Sequence, residues 1–304
     1  RFNELIKATY ELPPVRTAVV HPCDALSLEG ALQAGLQGMI IPVLIGPTAK
    51  IKAAAAEFGG NLDNIEIIDV PHSHAAAETA VAMARAGKVQ MLMKGKIHTD
   101  ELLKPVVDKA TGLRTERRMS HVFILDVPNY PKPLLISDAA INIFPDLQVK
   151  RDIVQNAIDL ALALGIDMPR VALLSAVETV TPTIPSTLDA AGLCKMADRG
   201  QITGGVLDGP LAFDNAISKA AAETKGIQSE VAGQADILIV PDLEAGNMIA
   251  KQLIYLAGAD AAGVVLGARI PIVLTSRADG VLSRLASAAM AQLYVYHEAG
   301  GTLL

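Results

Sequence analysis

The turn after the last predicted strand carries a hydroxyl, a cation and a carboxylate. Ser276, Arg277 and Asp279 come directly after the apolar run 271–275 and before a stretch of helical spacing over 281–295. A helix N-terminus offers free N–H groups and a partial positive charge to an anion, and an arginine can hold a phosphate through two hydrogen bonds. We therefore predict an anion site at this turn. The competing interpretation is that Ser276 or Asp279 only caps the helix and that Arg277 lies on the surface.

A second turn of the same kind follows the predicted strand 90–94. It contains two lysines, a histidine and a threonine, and a third lysine lies further along the helix that begins there: Lys94, Lys96, His98, Thr99 and Lys104. The full Walker pattern is missing, which disfavours a nucleoside-triphosphate loop. A solvated basic turn is the alternative for any single lysine. Because ligands of open α/β sheets bind beyond the carboxyl ends of strands, the two turns favour a shared phosphate-binding cleft.

A basic segment near the middle of the chain supplies further candidates. Arg114, Arg117, Arg118 and His121 lie where we predict that the chain crosses between two domains. One of the arginines would then reach into the cleft, and His98 or His121 would be placed for proton transfer. The alternatives are a solvated charge run and a histidine that only forms hydrogen bonds at a strand edge.

Acidic residues follow three further predicted strands. Asp242 and Glu244 precede a helix that contains Asn247, so this turn either caps the helix or brings the backbone close to a ligand. Asp138 and Asp208 follow two other strands. Scattered single carboxylates do not resemble a metal cluster, and the chain lacks the Cys/His spacing of zinc sites. We therefore predict no metal site.

Short apolar runs alternate with Ala- and Leu-rich stretches of helical spacing along the whole chain. Continuous apolar strands are typical of a parallel sheet covered on both faces, so the alternation predicts a three-layer α/β architecture with a mostly parallel sheet. The alternation breaks once, where the runs 121–126 and 133–137 flank "NYPKP", and this spacing predicts an antiparallel hairpin. We also predict one uninterrupted helix over 212–224.

Composition limits the classes of function. With 51% hydrophobic and 19% charged residues, the chain is expected to fold rather than stay disordered. Its apolar runs are all shorter than the roughly 18 residues of a membrane span. The net charge of −6 and the aromatic content of 3% disfavour a nucleic-acid surface. The only two cysteines, Cys23 and Cys194, are far apart, which fits a reducing compartment, and we expect a cytoplasmic protein.

Four long strings together resemble the phosphate acetyltransferase/phosphate butyryltransferase family. They are "MKGKIHTDELLKPV", "GLRTERRMSHVFILDVP", "GPLAFDNAISKAAA" and "PIVLTSRAD", and the last two resemble the butyryl branch more closely. With the strings between them, they cover about residues 85–290. Some members carry this domain behind an enoyl-CoA hydratase domain. Because the first residue is not Met, we expect that the chain is either processed or the acyltransferase part of such a fusion.

The resemblance implies a fold, a reaction and partners. The fold would be two α/β domains around a cleft, similar to isocitrate and isopropylmalate dehydrogenases, in a homodimer. Residues 1–113 with 269–304 would form the first domain, and residues 114–268 the second. The reaction would be reversible transfer of a short acyl group between coenzyme A and inorganic phosphate. Acyl-CoA, phosphate and acyl phosphate would be the partners, coenzyme A the cosubstrate, and no cofactor would be bound permanently.

The resemblance also implies roles for individual residues. Ser276 would lie near the CoA thiol, and Arg277 would hold the phosphoryl group. An arginine of the acetyl branch is replaced here by Lys104, which keeps the charge but loses the two-pronged geometry. The acetyl branch has its base seven residues after the serine, where this chain has Ser283, so that Asp279 is only a nearby substitute.

Acyl phosphate and CoA both carry several negative charges, so a cleft lined by cations would attract them. The cationic candidates are Lys94, Lys96, Lys104, Arg114 and Arg277, and the further substrate-binding candidates are His98, Thr99, Arg118, Asp242 and Asn247. Because neither cysteine lies in a motif suited to an acyl-enzyme, we predict direct transfer in a ternary complex.

Two other classes of function are open at this point. An NAD-dependent decarboxylating dehydrogenase of the related fold would need a set of metal-binding aspartates and a cofactor fingerprint. A non-catalytic two-lobed module that binds a small ligand would need an export signal or a fused DNA-binding segment. None of these features is found in the sequence. Phosphate-dependent release of free thiol from acyl-CoA distinguishes the transferase from both.

Overall fold

A computed structural model of the protein describes residues 1–276 and 279–300. The chain divides into two compact units. The first unit comprises residues 2–117 and the segment from Ala262 onward, and the second comprises Arg1 and residues 118–261. Among the described residues, no helix combines the length and the apolar character that crossing a membrane requires.

Strands and helices are numbered along the chain. The strands are β1 (Val15–Val20), β2 (Ile40–Gly46), β3 (Glu66–Asp69), β4 (Met91–Lys94), β5 (Ser120–Asp126), β6 (Leu134–Ser137), β7 (Arg170–Leu174), β8 (Val206–Leu211), β9 (Ile237–Ile239), β10 (Asp260–Leu266) and β11 (Ile272–Val273). The helices are α1 (Phe2–Lys7), α2 (Ala25–Leu36), α3 (Thr48–Phe58), α4 (Ser73–Arg85), α5 (Thr99–Val106), α6 (Leu147–Ala163), α7 (Pro185–Asp198), α8 (Phe213–Ile217), α9 (Lys219–Thr224), α10 (Leu243–Tyr255) and α11 (Val281–Glu298).

In the first unit the strand order is β3-β2-β1-β4-β11-β10. Neighbouring strands from β3 to β11 are parallel, and only β10 runs antiparallel to its neighbour β11. Ala18, Val19 and Val20 of β1 are fully buried. Because successive side chains of a strand point to opposite faces, both faces of the sheet are covered there. The carboxyl ends of β1, β4 and β11 therefore meet at one edge of a rigid, buried sheet.

In the second unit the strand order is β5-β6-β9-β7-β8. β5 and β6 form an antiparallel pair in which Phe123 lies opposite Ile136, and the remaining pairs are parallel. This pair confirms the predicted hairpin. The core of the unit is mostly aliphatic and includes the fully buried Leu125 and Leu238.

The predicted α/β class with a mostly parallel sheet is confirmed, but the uninterrupted helix over 212–224 is wrong. The chain leaves the helical conformation at Ser218, whose φ of −112° and ψ of 113° are extended, and this divides the stretch into α8 and α9. The Ser218 hydroxyl accepts a hydrogen bond from the backbone N–H of Ala221 at 3.2 Å and so begins a new helix. Serine favours such caps because its side chain competes for backbone donors.

Candidate active site

A cavity of about 470 Å³ lies at the carboxyl ends of β1, β4 and β11 in the first unit. Each strand contributes the residues that follow it: Asp24 and Ser27 after β1, the stretch 94–99 after β4, and Thr275 and Ser276 after β11. Ligand sites of open α/β sheets lie at this edge, and the volume suits a small-molecule ligand.

Five of the residues predicted from the sequence line this cavity. They are Lys94, Lys96, His98, Thr99 and Ser276. The two turns that were predicted to bind an anion are about 180 residues apart in the sequence, yet both line this one cavity. This agrees with the prediction from their positions after two strands. Arg277 lies outside the described residues.

The β4 turn is held against the end of β1 by backbone contacts. Gly95 N donates to the Val20 carbonyl at 2.9 Å, and Lys96 N donates to the His21 carbonyl at 2.8 Å. The His21 ring returns a hydrogen bond from Nδ1 to the Lys96 carbonyl at 2.7 Å. A Cβ at position 95 would lie 2.4 Å from the Val20 oxygen, so only glycine allows this approach. The tight turn places Lys94 and Lys96 beside the cavity.

Asp24 is a cavity residue that the sequence analysis missed. It begins α2, where its Oδ1 accepts hydrogen bonds from Ser27 N at 2.8 Å and Ser27 Oγ at 2.5 Å. Burial acts to raise the pKa of Asp24, but the hydrogen bonds from Ser27 and the charges of Lys96 and Arg284 outweigh it, and the pKa is lowered. The carboxylate is therefore ionised at neutral pH. An aspartate between an apolar run and a helical stretch was the available signal.

Ser276 and Asp279 form a closed pair at the start of α11. The Asp279 carboxylate accepts a hydrogen bond from Ser276 N at 2.7 Å through Oδ2 and from Ser276 Oγ at 2.9 Å through Oδ1. The capping position of α11 is Gly280, which has no side chain to offer. Asp279 thus binds back to the serine instead of capping the helix, contrary to the capping interpretation of the sequence.

Arg284 is the second cavity residue that the sequence analysis missed. It belongs to α11 and is 7% exposed. Nη2 donates to the Ser276 carbonyl at 2.8 Å, Nη1 to Thr275 Oγ1 at 3.2 Å, and Nε to the Asp279 carbonyl at 3.2 Å. The turn that contains Thr275, Ser276 and Asp279, the serine turn, is therefore held in place by one buried cation. An arginine within a helical stretch carries no sequence signal of this role, because its burial depends on tertiary packing.

The lining of the cavity also contains a carboxylate from α5. Glu101 accepts a hydrogen bond from Ser73 Oγ, and its Oε1 lies 3.4 Å from His74 Nε2. Both Ser73 and Glu101 line the cavity. The cavity therefore presents lysines after β4 and hydrogen-bonding oxygen atoms from α4 and α5.

Two candidate cations of the first unit lie elsewhere. Lys104 is exposed in the last turn of α5, and Arg114 is exposed while its backbone forms an isolated antiparallel bridge with Ala268. Neither is among the described residues that line the cavity. A part for them in substrate binding stays a prediction.

The remaining candidates lie in the second unit. Arg118 is exposed and donates from Nε to Asn142 Oδ1 at 3.1 Å. Asp242 caps α10 by accepting from Ala245 N at 2.9 Å, and Asn247 Nδ2 donates to the Ala139 carbonyl at 3.4 Å. His121 is buried in β5 with its ring 4.4 Å from that of Phe123. These contacts are structural, and binding roles for Arg118, Asp242 and Asn247 stay predictions.

The contacts of Asp138 and the burial of the two cysteines indicate structural roles. Asp138 is buried, and its two oxygens accept from the backbone and side chain of Asn142 and from neighbouring backbone N–H groups. Burial raises the pKa of Cys23 to about 11 and that of Cys194 to about 11. Thiols of this kind are poor nucleophiles at neutral pH. Within the described residues, no group of three or more His, Cys, Asp and Glu could hold a metal ion.

Comparisons with known proteins identify a family for this chain. Residues 72–292 match the model of the phosphate acetyl/butaryl transferase family. The phosphate acetyltransferase of Rhizobium meliloti is 64% identical over 97% of this chain and 93% of the relative. The phosphate butyryltransferase of Clostridium acetobutylicum is 41% identical over 96% of this chain and 97% of the relative. A crystal structure of a branched-chain phosphotransacylase from Enterococcus faecalis has a TM-score of 0.79 at 29% identity and covers 93% of this chain and 99% of that one.

Proposed function

The chain belongs to the phosphate acetyl/butyryl transferase family, and we propose that the cavity at the ends of β1, β4 and β11 is its active site. We also propose that acetyl is its preferred acyl group. The activity of the chain is reversible transfer of an acyl group between coenzyme A and phosphate. A decarboxylating dehydrogenase or a binding module is not favoured. The observation that carries the site is that Ser276, hydrogen-bonded to Asp279, lines the same cavity as two lysines.

The lysines supply the charge that the substrates require. Lys94 and Lys96 line the cavity on either side of Gly95, and Lys96 is exposed. Phosphate and acyl phosphate carry about two negative charges at neutral pH, so cations at the cavity raise their local concentration and hold them. By resemblance, Arg277 grips the phosphoryl group with its planar fork. Acidic Asp24 and Glu101 also reach this cavity, and we assign them to positioning rather than to phosphate binding.

The Ser276–Asp279 pair provides a route for the thiol proton. The Ser276 hydroxyl donates to Asp279, and because a hydroxyl oxygen is also an acceptor, we propose that it receives the proton of the CoA thiol. In the proposed step the thiol proton passes to the Ser276 oxygen while the serine proton passes to Asp279. The thiolate attacks the acyl carbon, the bond between that carbon and the phosphate oxygen breaks, and inorganic phosphate leaves. Asp279 thereby fills the role for which the acetyl branch uses the position of the buried Ser283.

Acyl transfer occurs directly between the two substrates in this mechanism. The raised pKa values of Cys23 and Cys194, which are both due first to burial, make either thiol a poor acyl acceptor. Holding thiol and acyl phosphate together in one cavity supplies the acceleration by proximity. The tetrahedral oxyanion is stabilised by the cations of the cavity.

The preference for acetyl is supported by the 64% identity to a phosphate acetyltransferase, against 41% to a phosphate butyryltransferase. We further propose a homodimer in the cytoplasm, on the resemblance to the family and on the two distant cysteines. Light scattering on the purified protein should give twice the chain mass of 31.8 kDa.

Thiol release from acyl-CoA tests the function. Acetyl-CoA with phosphate should liberate free CoA, arsenate should replace phosphate, and a reaction without either anion should release none. Because two extra methylenes must fit the acyl pocket, kcat/KM for butyryl-CoA should be lower by about tenfold or more. Absence of phosphate-dependent release would overturn the transferase assignment for this site, whereas a higher kcat/KM with butyryl-CoA would overturn only the acetyl preference.

A further inference from the structure

Arg284 occupies a position that helix stability does not explain. It lies in the first turn of α11, where the helix dipole disfavours a cation, and it is 7% exposed. Burying a charge is unfavourable unless hydrogen bonds compensate for the lost water. Burial acts to lower the pKa of Arg284, which the charges of Asp279 and Asp24 oppose, and an arginine remains protonated under such conditions.

The compensating hydrogen bonds all go to one short turn. Each of the three guanidinium nitrogens donates to the segment between β11 and α11: Nε to the Asp279 carbonyl, Nη1 to Thr275 Oγ1 and Nη2 to the Ser276 carbonyl. The planar fork thus connects the residue before Ser276, Ser276 itself and Asp279. A lysine could not make three such contacts in fixed directions.

Helix α2 is shaped to receive this side chain. Gly30 lies in the interior of α2, where glycine is a poor helix former. A Cβ at this position would lie 2.9 Å from Arg284 Cδ, closer than such atoms approach in practice. The Arg284 stem cannot easily move aside, because its head is bound at three points. The glycine therefore makes room for the arginine.

We propose that Arg284 is a positioning residue for acyl transfer, which holds the Ser276 hydroxyl and the Asp279 carboxylate in the relative geometry that proton transfer needs. The inference rests on the proposed function of this cavity. Arg284 acts through the backbone of the turn, so the substrates need not touch it. Its charge also balances Asp24 and Asp279, two carboxylates close to where anionic substrates bind.

Substitution of Arg284 is the first test. Arg284→Ala should lower kcat by about 10²-fold, because a loose turn misplaces the proton-transfer pair. KM for acetyl-CoA should change by less than about threefold, since the lysines and the cavity walls remain. Arg284→Lys should recover part of kcat. Ethylguanidinium should restore turnover to Arg284→Ala, and ethylammonium at the same concentration should not.

Gly30→Ala tests the same geometry from the other side. The new methyl group displaces Arg284 and should lower kcat by about tenfold, while the helix preference of alanine offsets part of the stability lost through the crowding. Gly35→Ala is the matched control in the same helix, because its Cβ would lie 3.4 Å from Pro42 and meets only ordinary contact. It should leave kcat unchanged.

The outcomes separate this inference from the proposed function. If the parent protein shows phosphate-dependent thiol release but Arg284→Ala folds and keeps its kcat, the positioning role is wrong and the function stands. If ethylguanidinium fails to restore a folded Arg284→Ala variant, the role is structural. Should Arg284→Ala fail to fold, full kcat in both Arg284→Lys and Gly30→Ala would overturn the proposal. An inactive parent protein would reject the proposed function itself.

Discussion

At the scale of single residues, the chemistry of Ser276 depends on its hydrogen bonds to Asp279. Its backbone N–H and its hydroxyl both point to the Asp279 carboxylate, which fixes the side chain on the turn. A hydroxyl oxygen is an acceptor as well as a donor. A serine in this state suits proton transfer to and from a thiol better than attack on a carbonyl. We propose that Asp279, rather than a histidine, is the proton acceptor.

Asp279→Asn is expected to lower kcat by about 10²-fold or more, because the amide keeps only one of the two acceptor oxygens that bind Ser276 and cannot take up the proton. The KM values for acetyl-CoA and phosphate should change little. Steady-state kinetics in the direction of acyl-CoA synthesis measure this effect. Asp63→Asn, at an exposed turn of the same unit, is the matched control and should be fully active. Equal kcat in the two variants would remove Asp279 from the mechanism.

Arg277 carries the phosphate-binding role that the resemblance implies. Arg277→Lys keeps the charge but loses the two-pronged geometry, so kcat/KM should fall by on the order of 10²-fold. Arg277→Ala should lose more, and the KM for phosphate should rise more than the KM for CoA. Varying each substrate in turn measures the difference. Arg199→Lys, at the exposed end of α7, is the control. Full activity of Arg277→Ala would contradict the assignment.

At the scale of elements, the cavity is built from the points where strands end and helices begin. β1 leads to α2 through Asp24, β4 leads to α5 through residues 95–98, and β11 leads to α11 through the serine turn. Parallel strands bring these three connections to one edge of the sheet. The three connections are held in shape by a cap, by a close glycine contact and by a buried arginine, respectively.

Asp24→Ala should lower the free energy of unfolding by about 1 kcal/mol at neutral pH, because α2 loses its cap. Asp24→Asn keeps a capping acceptor and isolates the effect of charge. The folded-state pKa of Asp24 lies below the ordinary value of 3.8, so the charge stabilises the fold above that value. The stability gap between the parent and Asp24→Asn should close as the pH falls through the lowered pKa.

Urea unfolding in buffers from neutral pH to below 3.8 measures the Asp24 effect. Asp146→Ala removes a cap of the same kind from α6 in the second unit, where Asp146 accepts from Val149 N at 2.9 Å. It should cost similar stability and leave activity unchanged. If the difference in the free energy of unfolding between the parent and Asp24→Asn widened on acidification, the direction of the Asp24 pKa shift would be contradicted.

At the scale of the whole molecule, an acidic chain with a net charge of −6 binds anionic substrates. This requires local cations, because the general field of the protein repels phosphate and CoA. We propose that Lys94 and Lys96, which line the cavity together with Arg284, meet that requirement.

Phosphate should therefore stabilise the folded protein through a specific site. At a phosphate concentration of 100 times Kd, linkage adds about 2.7 kcal/mol to the free energy of unfolding, which a thermal melt detects. Chloride at equal ionic strength should not raise the melting temperature in this way. Lys96→Ala should weaken the phosphate effect, and Lys52→Ala, at an exposed position of α3, should not. The same rise with chloride as with phosphate would exclude a specific site.

Local pattern predicts much of this structure. Apolar runs and helical spacing are properties of neighbouring residues, so the α/β class and the hairpin near Phe123 follow from the sequence. The Lys94 and Ser276 turns were predicted to share a site because parallel strands end at one edge. The helix break at Ser218 was missed because spacing indicates a helical face and does not reveal a cap within it.

The sequence by itself determined which residue types follow the strands and hence the anionic character of the ligand. Tertiary structure alone decided that Arg284 would be buried beneath the serine turn. A charged residue in a helix lies in water or in the core according to what packs against it, and here the partner is Gly30, more than 250 positions away in the chain. Periodicity cannot encode that pairing, because it is set by how α2 and α11 meet in the folded unit.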